Sequence, residues 1–130
     1  MKVYIVHTTE DDIVRGASVN YATAELIAQE YPALFCDTVI AEFDTECARE
    51  EVRKYDFDKS TEVVAEQVVY VISQGICEFY DTLFVRTNKA EAKEIALEYS
   101  KDERTCLETW IGGGRVKEEY FEDGKQTQWF

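Results

Sequence analysis

The sequence predicts an α+β fold: two tandem β-β-α-β pseudo-repeats with antiparallel sheets, one helix packed on each, and a C-terminal β-hairpin. Two observations predict this class. Three segments recur in the same order, at offsets of 66, 68 and 67 residues within the 130-residue chain. An Asp-Gly pair near the C terminus separates two runs of β-type residues, a pattern typical of a hairpin turn. We therefore expect a single compact domain made of two similar units.

The repeat is clearest in the helical segments. Residues 20–31 read NYATAELIAQEY and residues 88–99 read NKAEAKEIALEY, and seven of these twelve positions are identical. The flanking matches are VYIV at 3–6 with VYVI at 69–72, and TVI at 38–40 with TCL at 105–107. Ordered agreement at three places indicates that one ancestral unit was duplicated.

Strand patterns surround each repeated helix. Runs rich in β-branched and aromatic residues predict a first strand, a returning second strand and a closing third strand in each unit. The predicted strands are 2–6, 13–19 and 34–43 in the first unit and 69–72, 76–86 and 106–111 in the second. Turn-prone residues 10–12 precede the first return, and Gln74-Gly75 precedes the second.

Each helix is predicted from an apolar stripe. The stripe positions follow i, i+3, i+4 and i+7, and they are Ala24, Ile27, Ala28 and Tyr31, then Ala92, Ile95, Ala96 and Tyr99. Small alanines within each stripe would let the helix lie close to its sheet. Asn20 and Asn88 are suitable N-caps, and Glu91 would complete a capping-box-like pair with Asn88.

The two units are expected at 1–45 and 67–112, joined by an acidic connector at 46–66 and followed by a hairpin at 113–130. Residues 45–54 predict a polar helix that starts at Thr45, and 60–66 fit either a short helix or an early strand. In the hairpin, we expect Tyr120, Trp129 or both to pack inward. Gly112-Gly113-Gly114 lacks the context of a phosphate-binding loop and predicts a flexible hairpin tip.

The net charge of the chain excludes some classes of binding partner. The chain has 27 acidic and 14 basic residues, a net charge of −13, and the acidity is spread over both halves. This balance argues against direct binding to nucleic acid or an anionic membrane, which both need cationic surface. The first residues do not form a signal peptide and no apolar run is long enough to span a membrane, so we expect a soluble cytoplasmic protein.

The sequence offers little catalytic chemistry. His7 is the single histidine, at the end of the first strand, where an ordinary surface or edge residue is expected. The cysteines are widely spaced and without C-x-x-C pairs, so reduced thiols are expected, with a disulfide or sulfur ligation of a metal as the alternatives. We expect no enzyme activity, no cofactor and no metal site. The four cysteines are Cys36, Cys47, Cys77 and Cys106.

A stretch of acidic residues with interleaved aromatics is the candidate partner-binding site. The residues predicted to form it are Glu42, Asp44, Glu46, Glu50, Glu51, Tyr55, Asp56, Phe57 and Asp58. Aromatic side chains flanked by carboxylates could anchor against a basic partner, because buried aromatics often dominate the binding energy of interfaces. The alternative is that this is a linker whose aromatics pack onto the core.

The element order and the N-x-A-x-A-x-x-I-A-x-E-Y helix resemble small acidic β-β-α-β proteins encoded by phages, including anti-CRISPR and other counter-defence proteins. This resemblance covers most of 1–45 and 67–112. It implies a phage or mobile-element protein that binds and blocks a host defence component, with a host nuclease complex as partner. No functional residues come with the resemblance.

Three functions therefore stay open at this point. The first is a non-enzymatic inhibitor whose acidic surface covers a basic nucleic-acid-binding site. The second is a binder that sequesters a nucleotide signal, which would need Arg15, Arg86, Arg104 or Arg115 to converge in one pocket. The third is a regulatory or structural module that forms a homodimer through exposed sheet edges.

Overall fold

The fold has two antiparallel sheets and belongs to the α+β class, as predicted. The computed structural model describes residues 1–9, 13–31, 37–47, 54–57, 59, 63–76 and 79–127. Within these residues it contains two helices and eight strands. No helix in the described ranges combines the length and the apolar character needed to cross a membrane.

The first unit forms a three-stranded sheet, here called sheet A. Its elements are β1 (Lys2–Thr8), β2 (Val14–Ser18), α1 (Tyr21–Gln29) and β3 (Thr38–Asp44). The strand order is β2-β1-β3, and both pairings are antiparallel. The third strand begins at Thr38, later than predicted, while residues 32–36 and the predicted turn at 10–12 lie outside the described residues.

The second unit forms a five-stranded sheet, here called sheet B. Its elements are β4 (Val69–Ile76), β5 (Phe79–Arg86), α2 (Lys89–Tyr99), β6 (Thr105–Ile111), β7 (Gly114–Glu122) and β8 (Lys125–Thr127). The order is β5-β4-β6-β7-β8, with antiparallel pairings throughout. The turn predicted at Gln74-Gly75 is wrong, because both residues continue the β4 ladder and pair with Asp81 and Tyr80.

The two sheets pack face to face, and one helix covers the outer face of each. The central core joins Val3, Ile5 and Phe43 of sheet A to residues that include Val71 and Trp110 of sheet B. β2 lies over β6 and β7, and β3 lies over β5. The result is a four-layer α-β-β-α arrangement in which side chains on both faces of the central strands are buried.

Alanines set the distance between each helix and its sheet. Ala24 of α1 is fully buried against Tyr4 and Val6. In the outer layer of sheet B, Ala92 and Ala96 of α2 are fully buried. The predicted helix-on-sheet packing is thus confirmed, and the small side chains allow close approach.

The two units share strand order, register and bulge position. Val6 is the last regular pair before a bulge in the β1–β2 ladder, and Ile72 is the last before a bulge in the β4–β5 ladder. These two residues are equivalent in the sequence repeat, at the offset of 66. Duplication of an ancestral unit stays a prediction, since equal geometry in two units can arise from similar packing demands.

Asn20 and Asn88 are equivalent in the sequence repeat but form different hydrogen bonds. The Asn88 side chain accepts a hydrogen bond from the amide of Glu91, as an N-cap does. Asn20 makes no such cap: its side chain exchanges two hydrogen bonds with the backbone of Val64, at 2.8 and 2.9 Å, and donates to Glu66. Asn20 therefore ties the connector to the start of α1.

The predicted capping box and connector helix also need correction. The side chain of Glu91 does not accept a hydrogen bond from the backbone amide of Asn88, as a capping box requires. Its carboxylate accepts a 2.8 Å hydrogen bond from Arg86 instead. At the connector, residues 45–47 form a turn and Lys54 pairs with β3, while 48–53 lie outside the described residues. Residues 63–66 are in neither a helix nor a strand, and 60–62 are outside the described part.

The C-terminal hairpin is confirmed. Asp123 and Gly124 both have positive φ, at 54° and 74°, as a type I′ turn requires. The turn is attached to the end of α2, because the amide of Gly124 donates to the hydroxyl of Ser100 at 3.0 Å. Tyr120 is half-buried, and Trp129 lies outside the described residues.

The β6–β7 turn is docked on α1, in contrast to the flexible tip predicted. Gly112 and Gly113 have φ values of 59° and 86°, and Gly113 is buried. A Cβ atom at Gly113 would lie 2.7 Å from Cδ1 of Ile27 and 3.2 Å from Cγ2 of Thr23. This turn of sheet B therefore contacts α1, the helix of the first unit, through Gly113.

Alanine substitutions at the two turn glycines separate backbone strain from contact. In Gly112→Ala, the alanine would have to adopt a strained positive φ, but its Cβ atom would meet no neighbouring atom. This substitution should therefore lower the free energy of unfolding by about 1 kcal/mol. Gly113→Ala adds the collision with Ile27, for a total of about 2 kcal/mol. Urea denaturation of both variants measures the difference. Equal losses would show that the turn does not press on α1.

The asparagine pair gives a second test. Asn88→Ala should cost about 1 kcal/mol through loss of the helix cap. Asn20→Ala should cost about 2 kcal/mol through its lost hydrogen bonds, and should also release residues 63–66. Limited proteolysis with thermolysin should then cleave near Val63 in Asn20→Ala alone. Cleavage there in both variants would contradict this role for Asn20.

Candidate functional site

The predicted acidic and aromatic residues divide between the edge of sheet A and undescribed positions. Glu50, Glu51 and Asp58 lie outside the described residues. The others follow β3 and the short segment 54–57, and they are Glu42, Asp44, Glu46, Tyr55, Asp56 and Phe57. The structure thus brings together two pieces of chain that are separated by the undescribed residues 48–53.

A single β-bridge brings these pieces together. Glu42 donates its amide to the carbonyl of Lys54 at 2.9 Å and accepts from the Lys54 amide at 3.3 Å. Beside this bridge opens a cleft of about 370 Å³ lined by Lys2, Glu42, Lys54, Asp56 and Phe57, here called the β3 cleft. Its volume is at the lower end of the range for small-molecule sites.

The β3 cleft has balanced charge at its wall. Glu42 is only 4% exposed, and its Oε1 atom lies 3.4 Å from Nζ of Lys2 and 4.0 Å from Nζ of Lys54. Burial, followed by the charge of Glu42, raises the pKa of Tyr4 on the neighbouring strand. Glu42 is therefore an interior carboxylate whose charge is balanced by two partly exposed lysines.

The two aromatics of the segment contact the body of the protein. The ring of Phe57 is half-buried and lies 5.5 Å from Tyr4 and 5.8 Å from Tyr21, between ring centroids. The ring of Tyr55 lies 5.6 Å from His7 although the residue is 54% exposed. These contacts match the alternative in which the aromatics of a linker pack onto the core.

Asp44 and Glu46 mark the end of β3. The amide of Glu46 donates to the Asp44 carboxylate at 2.9 Å, and the N-terminal ammonium lies 3.5 Å away. The backbone hydrogen bond is the largest cause that lowers the pKa of Asp44, and the terminal ammonium adds to it. The Glu46 side chain is exposed.

Sequence reasoning missed a polar cluster on the inner face of sheet B. Glu108 is buried, and its carboxylate accepts a 2.8 Å hydrogen bond from Nη1 of Arg115. The same guanidinium contacts Glu118, which in turn accepts from the hydroxyl of Tyr120. Burial raises the pKa of Glu108, while Arg115 opposes the rise.

A β-bulge places Arg115 in this cluster. The β6–β7 register shifts between Thr109 and Trp110, so that Arg115 pairs with Trp110 and Val116 is the extra residue. If the ladder continued regularly, Val116 would pair with Trp110 and Arg115 would point to the other face, because side chains alternate along a strand. A sequence signal was available: in the repeat, Glu108 occupies the position of the buried Ala41.

The arginines required for a nucleotide pocket have separate partners. Arg86 is buried and donates to Glu91, to the Val85 carbonyl and to the Cys47 carbonyl. The remaining contacts are Arg15 over the Tyr31 ring, Arg104 over the Tyr120 ring and beside Glu122, and Arg115 with Glu108 and Glu118. Each guanidinium is thus engaged by its own neighbours.

The nucleophile and metal chemistry of the described residues is limited. Cys106 is a buried thiol and Cys47 is a half-buried one. Burial raises the pKa of the Cys106 thiol, which stays protonated and unreactive at neutral pH. Among the described residues, no group of three or more His, Cys, Asp or Glu side chains could hold a metal ion. Cys36 and Cys77 lie outside the described residues.

Comparison with known proteins gives no match: no protein-family model fits the chain, and no curated protein or solved structure shows significant similarity to it. The site must therefore be interpreted from its own chemistry. What the geometry provides is a charge-balanced cleft, a buried Glu–Arg cluster and a surface with many carboxylates.

Two conservative substitutions should change the pH dependence of stability with opposite signs. The pKa of Glu108 is raised in the folded chain, so its carboxyl group keeps a proton above about pH 4.3, where it would lose the proton in the unfolded chain. The stability that this proton contributes is present below about pH 4.3 and is lost as pH rises through the raised pKa. The pKa of Asp44 is lowered in the folded chain, so its ionised carboxylate contributes stability above about pH 3.9. That stability is lost as pH falls through the lowered pKa.

Urea denaturation from low to neutral pH measures both effects. Relative to the unchanged chain, Glu108→Gln should lose the part of stability that decreases with rising pH. Asp44→Asn should lose the part that decreases with falling pH, so each variant serves as the control for the other. Parallel pH profiles for Glu108→Gln and the unchanged chain would contradict a raised pKa at that carboxyl.

Proposed function

We propose that this chain is a non-enzymatic binding protein of phage or mobile-element type that inhibits a host defence nuclease, in the manner of an anti-CRISPR protein. Its acidic surface occupies the basic surface on which the nuclease holds nucleic acid. The supporting observation is how the charges are distributed. Lysine and arginine side chains pair with buried carboxylates, whereas many other carboxylates are exposed and form no ion pair with a described residue. Such a surface suits a partner that ordinarily holds phosphates.

Three buried carboxylates hold much of the positive charge of the described residues. The ion pairs are Glu42 with Lys2 and Lys54, Glu108 with Arg115, and Glu119 with Lys93 and Lys117. A buried carboxylate must be paired, since an isolated charge in a low-dielectric interior is strongly unfavourable. These cations are themselves partly exposed, but each is paired with a buried carboxylate and therefore compensates the surface acids less.

A set of exposed carboxylates forms no ion pair with any described residue. Its members are Glu25, Glu30, Asp37, Glu46, Asp56, Glu94, Asp102 and Asp123. Exposed charges of one sign produce a field that attracts a basic partner and that salt weakens. This supports the proposed docking, and it locates the acidity beyond the segment predicted from sequence.

Helix α2 carries a regular row of exposed carboxylates. Glu94 belongs to the set above, whereas Glu91 pairs with Arg86 and Glu98 pairs with Lys101. Glu91, Glu94 and Glu98 are exposed and are spaced three and four residues apart, so they share one helix face. Asp102 is exposed in the turn that follows. A row of carboxylates on the outermost layer resembles the charge of a phosphate backbone and fits the same kind of basic groove.

Binding to purified CRISPR effector nucleases tests this proposal. Association should weaken at least about tenfold between about 50 and 500 mM salt, and the bound nuclease should lose binding to its nucleic-acid substrate. Affinity that salt does not change, or a saturated nuclease that still binds and cleaves its substrate normally, would contradict it.

Charge reversal should locate the contact. Glu94→Lys with Asp102→Lys places two positive charges near the α2 row and should weaken association about tenfold or more. Glu25→Lys with Glu30→Lys makes the same change of net charge on α1, in the opposite outer layer, and should have a smaller effect. Equal losses would show that only total charge matters, which excludes the α2 row as the contact.

A further inference from the structure

We propose that the β3 cleft binds a small zwitterion of the amino-acid type, with an ammonium group, a carboxylate and an apolar side group on one molecule. This inference does not rest on the proposed inhibitory function. It rests on the arrangement of charged and aromatic side chains in a cleft formed by β1, β3 and the segment 54–57.

The cleft offers acceptors for an ammonium group. Both lysines that pair with Glu42 approach the same atom, Oε1, at 3.4 and 4.0 Å. Asp56 also lines the cleft, and it forms no ion pair with a described residue. A primary ammonium has three protons, so one ligand group could be shared between Glu42 and Asp56.

The same cleft offers donors for a carboxylate. The side chains of Lys2 and Lys54 are 56% and 57% exposed, so their ammonium groups keep protons that Glu42 does not use. Their distances to Glu42, 3.4 and 4.0 Å, are longer than good hydrogen bonds. These loose ion pairs can rearrange around a ligand carboxylate with little loss.

Phe57 supplies an apolar wall. Its ring is held by Tyr4 and Tyr21, and its remaining surface lines the cleft. A ring fixed in this way loses little conformational freedom when a ligand packs on it. An aromatic or aliphatic side group of the ligand would therefore lie against Phe57.

Charge selects the zwitterion over a polyanion. The five lining residues carry two positive and two negative charges, in a chain of net charge −13. A nucleotide would bring several negative charges into a negative field with only two lysines to receive them. A molecule with one charge of each sign fits both halves of the cleft.

Amide chemical shifts of the ¹⁵N-labelled full chain test this with three probes that share a phenyl group. L-phenylalanine carries both charges, phenethylamine carries the ammonium alone, and 3-phenylpropionate carries the carboxylate alone. L-phenylalanine should give saturable shifts at Lys2, Glu42 and Phe57, and bind about tenfold more tightly than either analogue. Equal or tighter binding of 3-phenylpropionate or of adenosine monophosphate, or no saturable shift, would overturn the proposal.

Matched variants connect the shifts with the cleft. Asp56→Asn and Lys54→Met alter exposed cleft residues and should each weaken L-phenylalanine binding about fivefold to tenfold. Asp123→Asn and Lys59→Met make the same chemical changes away from the lining and should leave it within about twofold. Equal effects in both pairs would overturn the assignment to this cleft. The unchanged spectrum of the rest of the chain verifies folding.

Discussion

Burial of both faces of each sheet is the constraint on which this structure depends. Along β1, the inner residues Val3 and Ile5 meet sheet B, while the outer residues Tyr4 and Val6 meet α1. Each fully buried aliphatic side chain contributes about 1.5–3 kcal/mol, so two apolar faces per strand account for the dominant favourable term. A sheet with one wet face would alternate apolar and polar residues, and these central strands do not.

This constraint determines where charge can reside. A carboxylate that enters any of the packed layers must bring a cation or hydrogen-bond donors with it. Glu42, Glu108 and Glu119 do so in three different layers, and they use lysines and an arginine that would otherwise balance the surface. With 27 acidic and 14 basic residues, the chain has too few cations to pair both the buried and the exposed carboxylates, and any partner meets the exposed ones.

Sequence patterns predicted the features that depend on neighbouring residues in the chain. They did not predict the features that depend on contacts between residues far apart in the sequence. The stripe of Ala92 and Ala96, the Asn88 cap and the Asp-Gly turn follow from helix and turn chemistry, and the structure has all three. Face-to-face packing of the sheets was not predicted, because periodicity identifies an apolar face without naming its partner. Asn20 shows the same limit: its cap-like position gives no sign of the connector backbone that it binds at Val64.

The chemically distinctive positions lie where the two units differ. In equivalent ladders, Ala41 pairs with Ile5 and Glu108 pairs with Val71, so the second unit has a carboxylate where the first has a methyl group. One residue further along, Glu42 of the first unit corresponds to Thr109 of the second. The shared residues are thus those that pack the layers, and neither buried carboxylate belongs to that framework. A buried charge costs stability that an apolar residue would not, and each of these two carboxylates accordingly has a cation beside it: Lys2 at Glu42 and Arg115 at Glu108.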